Sequence, residues 1–292
     1  MTEQNAQTMR LLYCSDLHGS EEHYARLDVA AKTHLPQVII LGGDMLPDDS
    51  ALQPETLGRG QPEFVRGRFR ELILGLREAC RPVAILAIFG NHDWSSSATA
   101  MNELANDGLL AILSHTMPVD VSGLAFLGYS SSPPTPWFVK DFERLDLPGD
   151  TPPLLGGARW DPRFSKSSAH GAEVVFGAFP SIAEELADLK APAQPWVLVA
   201  HAPPFETNLD RSFKGESWGS RAIRAVIERH QPLLSLHGHV HESPIVTGSF
   251  TQQLGGTVAV NPGQSHDKLR YALIDIDVGA CKITDVIHGQ QA

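Results

Sequence analysis

Short apolar runs bounded by turn residues recur along the chain, and stretches with helical periodicity separate the first several of them, which is the pattern of an α/β architecture. Met9 to Ser15 and Gln37 to Leu41 read as buried strands flanking a helix over Glu21 to Thr33, with Ser20 as its N-cap. A polar link from Pro47 to Pro62 leads into a helix over Glu63 to Cys80 and the apolar strand Val83 to Phe89. Later strands are predicted at Leu124 to Tyr129, Trp196 to Ala200 and Leu233 to Leu236, and a helix at Ser217 to His230. From Ile245 onward the pattern changes. Ile245 to Thr247, Thr257 to Val260, Tyr271 to Asp277 and Lys282 to Ile287 read as strands joined by Gly and Asn-Pro-Gly turns with no helix, which suggests an antiparallel second sheet. Two sheets packed face to face with helices outside make a four-layer α/β/β/α sandwich.

One stretch breaks the rhythm. Ser130 to Gly171 opens with Pro133-Pro134-Thr135-Pro136-Trp137 and has little predicted regular structure. Its interleaved Trp137, Phe138, Phe142, Trp160 and Phe164 favour packing over disorder. Two readings stand side by side: an ordered loop near a functional site, or a purely structural surface insertion. The 292 residues fit one large domain, residues 9–292, with this insertion at about 130–171 and a short disordered tail over 1–8. That tail lacks the basic start and apolar stretch of a secretory signal.

Composition narrows the function classes. No uninterrupted apolar run is long enough to cross a bilayer. Cys14, Cys80 and Cys281 have no paired spacing, which fits reduced thiols in the cytoplasm better than a disulfide framework. A formal net charge of -11 argues against long nucleic-acid backbones as partners and leaves a small phosphate ester easier to accommodate. The charge does not exclude an anionic substrate, because bound cations reverse the local sign.

Candidate chemistry gathers at the ends of predicted strands. Asp16 and His18 follow the first apolar run, and their spacing of two puts both side chains on one side of extended backbone. Asp44 follows Val38 to Gly43, where two glycines allow a sharp turn. Asn91-His92-Asp93 follows the third strand, His201 follows Trp196 to Ala200, and His237-Gly238-His239-Val240-His241 follows Leu233 to Leu236. Ligands of open α/β sheets collect at this carboxyl edge. Each block alone has a bland reading as a turn or helix cap, but five strand ends delivering oxygen and imidazole donors point to metal binding.

These blocks resemble the signature of the calcineurin-like metallophosphoesterase superfamily, D-x-H, G-D, G-N-H-D/E, H and G-H-x-H, in the same order from Asp16 to His241. The resemblance implies that Asp16, His18 and His241 hold one metal, that Asn91, His201 and His239 hold another, and that Asp44 bridges them. Hard oxygens with imidazoles and no thiolate suit Mn, Fe or Zn. The implied activity is hydrolysis of phosphate esters by in-line attack of a metal-bridging hydroxide. Phosphodiesters stand ahead of monoesters, and a nuclease or a non-catalytic metal-binding scaffold are the rivals. His92 matches the residue that stabilises the transition state or protonates the leaving oxygen. Asp93 either orients the His92 ring or caps the local turn. His237 has no ligand role in the signature and reads as a buried or supporting residue. Arg59, Arg66, Arg68, Arg70 and Arg211 either contact phosphate or line solvated faces.

Overall fold

Alternate residues of each buried strand face opposite ways, and that alternation divides the core into layers. The computed structural model describes residues 8–48, 58–163 and 166–292. Its strands are β1 (Thr8–Cys14), β2 (Val38–Gly42), β3 (Ala84–Ile88), β4 (Ala111–Ile112), β5 (Val119–Val121), β6 (Leu124–Tyr129) and β7 (Gly157–Asp161), followed by β8 (Lys166–His170), β9 (Trp196–Ala200), β10 (Leu234–Leu236), β11 (Thr251–Leu254), β12 (Thr257–Val260), β13 (Leu269–Asp277) and β14 (Lys282–Gln291). One six-stranded sheet runs β14-β13-β1-β2-β3-β4 and a second runs β11-β12-β10-β9-β6-β5. Both are mixed: β1, β2, β3 and β4 pair in parallel, as do β6, β9, β10 and β12, while β13, β14, β11 and β5 add antiparallel edges.

Leu11, Tyr13, Ile40 and Leu86 of the first sheet meet Phe126, Val197, Val199 and Leu236 of the second in a dry layer between the sheets. On the outer face of the first sheet, Leu12, Ile39, Leu41 and Ile85 pack against Tyr24, Leu27, Phe69, Ile73 and Met101, which belong to helical segments. On the outer face of the second, Leu127 and Leu198 pack against Ile182, Ile223 and Ile227 of the helices Ile182–Glu185 and Arg221–His230. The fold is therefore a four-layer α/β/β/α sandwich. Ser20 caps the helix Glu21–His34 by accepting from the His23 backbone, as expected.

Four expectations change. Residues 1–7 of the predicted tail lie outside the described residues, and Thr8 already pairs with Asp277 in β1. Ile245 to Thr247 is part of a helix, Ser243–Thr247, because Pro244 fits its first turn and Gly248 ends it in the left-handed conformation. The C-terminal strands do not make a sheet of their own: β11 and β12 extend the second sheet, while β13 and β14 complete the first beside β1. The 130–171 stretch contains the antiparallel pair β7 and β8, an element its composition did not announce.

Candidate metal centre

Five strand ends, those of β1, β2, β3, β9 and β10, bring the expected donors together. Asp16, His18 and His241 form one group with ligand atoms within 4.8 Å of one another, and Asp16, Asp44 and His201 form a second. Asp16 is common to both, so the two pockets share a wall. The backbone that aims these side chains is not extended, as the spacing suggested, but left-handed: φ is 60° at Asp16, 45° at His18, 51° at Asp44 and 67° at His239. Hydrogen bonds hold the turns, with Asp16 N donating to Gly43 O at 2.9 Å and His18 N to Asp44 O at 2.8 Å. Gly90 and Gly238 are needed for space, because a Cβ at the first would strike Asp44 and at the second Ser15 and Asp16.

The donor set fits a cation. His201 Nδ1 lies 2.9 Å from Gly42 O, a pure acceptor, so its proton sits there and Nε2 presents a lone pair. That lone pair meets Asn91 Oδ1 at 3.0 Å and Asp44 Oδ2 at 3.3 Å, two further acceptors. His239 Nδ1 approaches the same Asn91 oxygen at 2.8 Å, and His241 Nε2 approaches Asp16 Oδ1 at 3.1 Å. Asn91 Nδ2 is buried without a hydrogen-bond partner among the described residues, so the amide is oriented for its oxygen. Such a convergence of oxygen and imidazole donors suits a positive charge among them. Burial opposes charge on the His201 ring, yet Asp44 prevails and pushes it up to about 9, the pull of an ionised carboxylate on positive charge. Burial and the neighbouring His201 push His239 down to about 3, and burial pushes His18 down to about 4, leaving both rings as neutral donors. Burial raises the Asp16 and Asp44 carboxyls, but His241 and His201 outweigh it and keep both low and ionised.

His92 stands at the rim. Its ring meets His18 edge-on at 4.9 Å between centroids, and its backbone N donates to Asp44 Oδ1 at 2.7 Å. The carboxylate beside its Nδ1 is Asp48, at 3.7 Å. Burial opposes a charge there, while Asp44 and Asp48 together raise the ring to about 9. Among the described residues Asp93 makes no hydrogen bond to that ring. Its fully buried carboxylate accepts from Asp44 N at 3.1 Å, Leu46 N at 3.1 Å and Gly90 N at 2.9 Å, fastening the turn after β3 to the turn after β2. Of the two roles open for Asp93, the geometry matches the backbone clip.

The family model of the calcineurin-like phosphoesterases matches residues 9–243. The chain belongs to this family. No curated protein matches it significantly in sequence. A Thermus thermophilus protein of known structure is 16% identical, aligns over 96% of this chain and 99% of its own, and gives a TM-score of 0.54. A dimetal phosphatase from Danio rerio is 12% identical over 97% and 96%, with a TM-score of 0.51. A further solved structure reaches 0.62 at 14% identity, over 98% of this chain and 100% of its own. These likenesses concern the fold.

This phosphoesterase-family chain has supports that sequence reasoning missed. Asn261, read only as part of a turn, donates to Gly238 O and Val240 O at 3.1 Å each and to Leu209 O at 2.9 Å, bracing the loop of His239 and His241. Gln264 ties the same loop to β1 through His241 O at 3.1 Å and Ser15 O at 3.0 Å. His237 is buried, with Nδ1 3.0 and 2.9 Å from the carbonyls of Ala200 and Ala202, which flank His201. Burial pushes it down to about 4, so it is a neutral pin. Among the suspected arginines, Arg66 pairs with Glu103, Arg68 with Glu21 and Glu71, and Arg70 with Asp107. No helix among the described residues is long and apolar enough to cross a membrane.

Proposed function

We propose that the protein is a binuclear metal-dependent hydrolase of phosphate esters, with phosphodiesters favoured. The observation that carries this reading is the convergence on His201 Nε2 of Asn91 Oδ1 at 3.0 Å and Asp44 Oδ2 at 3.3 Å, beside the Asp16, His18 and His241 group. Two bound ions, of Mn, Fe or Zn type, would supply Lewis acidity toward water and the phosphoryl oxygens. Asp16, His18, Asp44 and His241 would hold one, and Asp44, Asn91, His201 and His239 the other, so that Asp44 would serve both. His92 then offers its ring proton to the leaving oxygen, and Asp48 holds that ring in place. Asp93 keeps the Asp44 and Asn91 turns in register.

The preference for diesters rests on charge. A monoester dianion carries more negative charge than a diester, and Arg66, Arg68 and Arg70 are engaged with carboxylates. The unpaired cysteines, two of them buried, support a reducing cytoplasmic setting for a small ester substrate. The test is turnover of bis-p-nitrophenyl phosphate and p-nitrophenyl phosphate by metal-loaded protein. The diester is expected to react faster; the reverse order removes the preference, and turnover of neither leaves a metal-binding scaffold. His92→Ala should retain metal and lose turnover about 10²- to 10⁴-fold, whereas Asp44→Ala should lose metal occupancy as well.

A further inference from the structure

The 130–171 insertion delivers an aromatic side chain to the rim of the metal centre. The Trp137 ring lies 5.8 Å from that of His92, tilted by 53°, and His92 lies 4.9 Å from His18. A row of rings thus leads from solvent to the metal pocket. Trp137 remains 51% exposed and its neighbour Phe138 46% exposed, an unusual amount of aromatic surface to leave in water.

The backbone that carries the indole is held firmly. Trp137 N donates to Thr135 Oγ1 at 3.2 Å, and Thr135 N donates to Glu143 at 3.0 Å. Lys140 Nζ donates to Glu143 at 2.7 Å and to Thr135 O at 2.8 Å, and both charged side chains are wholly buried. Two ties then fix this knot relative to His92. Phe142 stacks on Phe89 at 4.8 Å and 7°, just before the Asn91-His92 turn, and Asp141 accepts from Ser95 N at 2.8 Å, just after it. A half-exposed ring on a fixed backbone binds a flat partner with less loss of conformational freedom than one on a mobile loop.

We propose that Trp137 is a specificity-determining residue that stacks against an aromatic ring, aryl or nucleobase, carried on the phosphate ester. An open flat face suits a ring approaching from one side, whereas an alkyl chain needs enclosure to leave water. The inference rests on the phosphoester reading of the site and names its substrate class.

Titration calorimetry of metal-loaded, full-chain protein with phenylphosphonate and methylphosphonate tests it without requiring turnover. The phenyl compound should bind roughly tenfold tighter to the wild type. That ratio should fall to within about twofold of unity in Trp137→Ala and be largely retained in Trp137→Phe. An unchanged ratio in the alanine variant, no discrimination by the wild type, or no binding of either phosphonate would overturn the assignment. Turnover of bis-p-nitrophenyl phosphate separates the two ideas. Hydrolysis with an unmoved ratio defeats only the role of Trp137, and a moved ratio without hydrolysis defeats only the hydrolase reading.

Discussion

Lys140→Met is the most informative perturbation of the insertion. Lys140 and Glu143 are 2.7 Å apart and neither side chain is exposed at all, so removing the ammonium strands a carboxylate in a dry site. Thr135 N and Oγ1 still donate to that carboxylate, but they are neutral dipoles and cannot replace the counter-charge. Breaking a buried pair from one side costs about 3–5 kcal/mol. With a urea m-value of about 3 kcal/mol/M for a domain of this size, the unfolding midpoint should fall by about 1 M or more at pH 7. Burial already pushes the Glu143 carboxyl upward against the pull of Lys140, so without the lysine it rises further. A folded pKa above the unfolded value of about 4.3 means that the penalty is small below that pH and grows as pH rises through the folded pKa. Acidification should therefore rescue the variant in part. Adding Glu143→Gln keeps an oxygen acceptor for Thr135 and removes the charge, so the double variant should recover to within about 1–2 kcal/mol of wild type. A single variant within about 1 kcal/mol of wild type at pH 7, or a double variant no better than the single, would refute the reasoning.

Other expectations are simpler to check. Asp93→Ala should cost about 2–4 kcal/mol in denaturant unfolding, because three backbone N–H groups lose their acceptor, and should lower metal content measured by elemental analysis. Chelation should abolish ester turnover and lower the thermal midpoint, since ions at a hundred times their Kd stabilise by about 2.7 kcal/mol; an unmoved midpoint on removal and return of metal counts against a bound centre. Asp275→Asn, which breaks the pair with Arg10 across β1 and β13, should cost about 0.5–1 kcal/mol at pH 7. Its hydrogen bond to Arg10 holds the Asp275 carboxyl below its usual value. The difference between variant and wild type should therefore persist above about pH 4 and vanish as pH falls through the folded pKa; a gap that widens in acid contradicts this.

The buried parallel strands were legible because each is a continuous apolar run, as in Val38 to Leu41 and Trp196 to Ala200, and such runs suit strands covered on both faces. The strands that escaped are short or polar. β4 has two residues, β11 is Thr-Gln-Gln-Leu, and β8 is Lys-Ser-Ser-Ala-His, none of which carries an apolar alternation. Nor does a hairpin such as β13 and β14 announce which sheet it will join, since that depends on the free edge of β1, more than 250 residues away in sequence terms for the Thr8 and Asp277 pair.

The candidate metal ligands were legible for a different reason, and their geometry was not. A period-two argument expected Asp16 and His18 to share a side of extended backbone, whereas both sit at positive φ, as do Asp44 and His239. Non-glycine residues in that region cost on the order of 1–3 kcal/mol each, so four of them represent strain that ordinary packing does not explain. What holds them is visible: Asp93 clips the Asp44 turn, Gln264 and Asn261 clip the His241 loop, and Gly90 and Gly238 leave the space that the carboxylates occupy. The glycines written into G-N-H-D and G-H-x-H are thus the sequence's trace of this tight convergence. The clips leave no such trace, because an Asn or Gln from a distant turn can donate to a carbonyl without any fixed spacing to the ligand it supports. A site assembled from five strand ends is readable in its donors and silent about its braces. The same silence covered Trp137, whose position depends on the buried Lys140 and Glu143 pair.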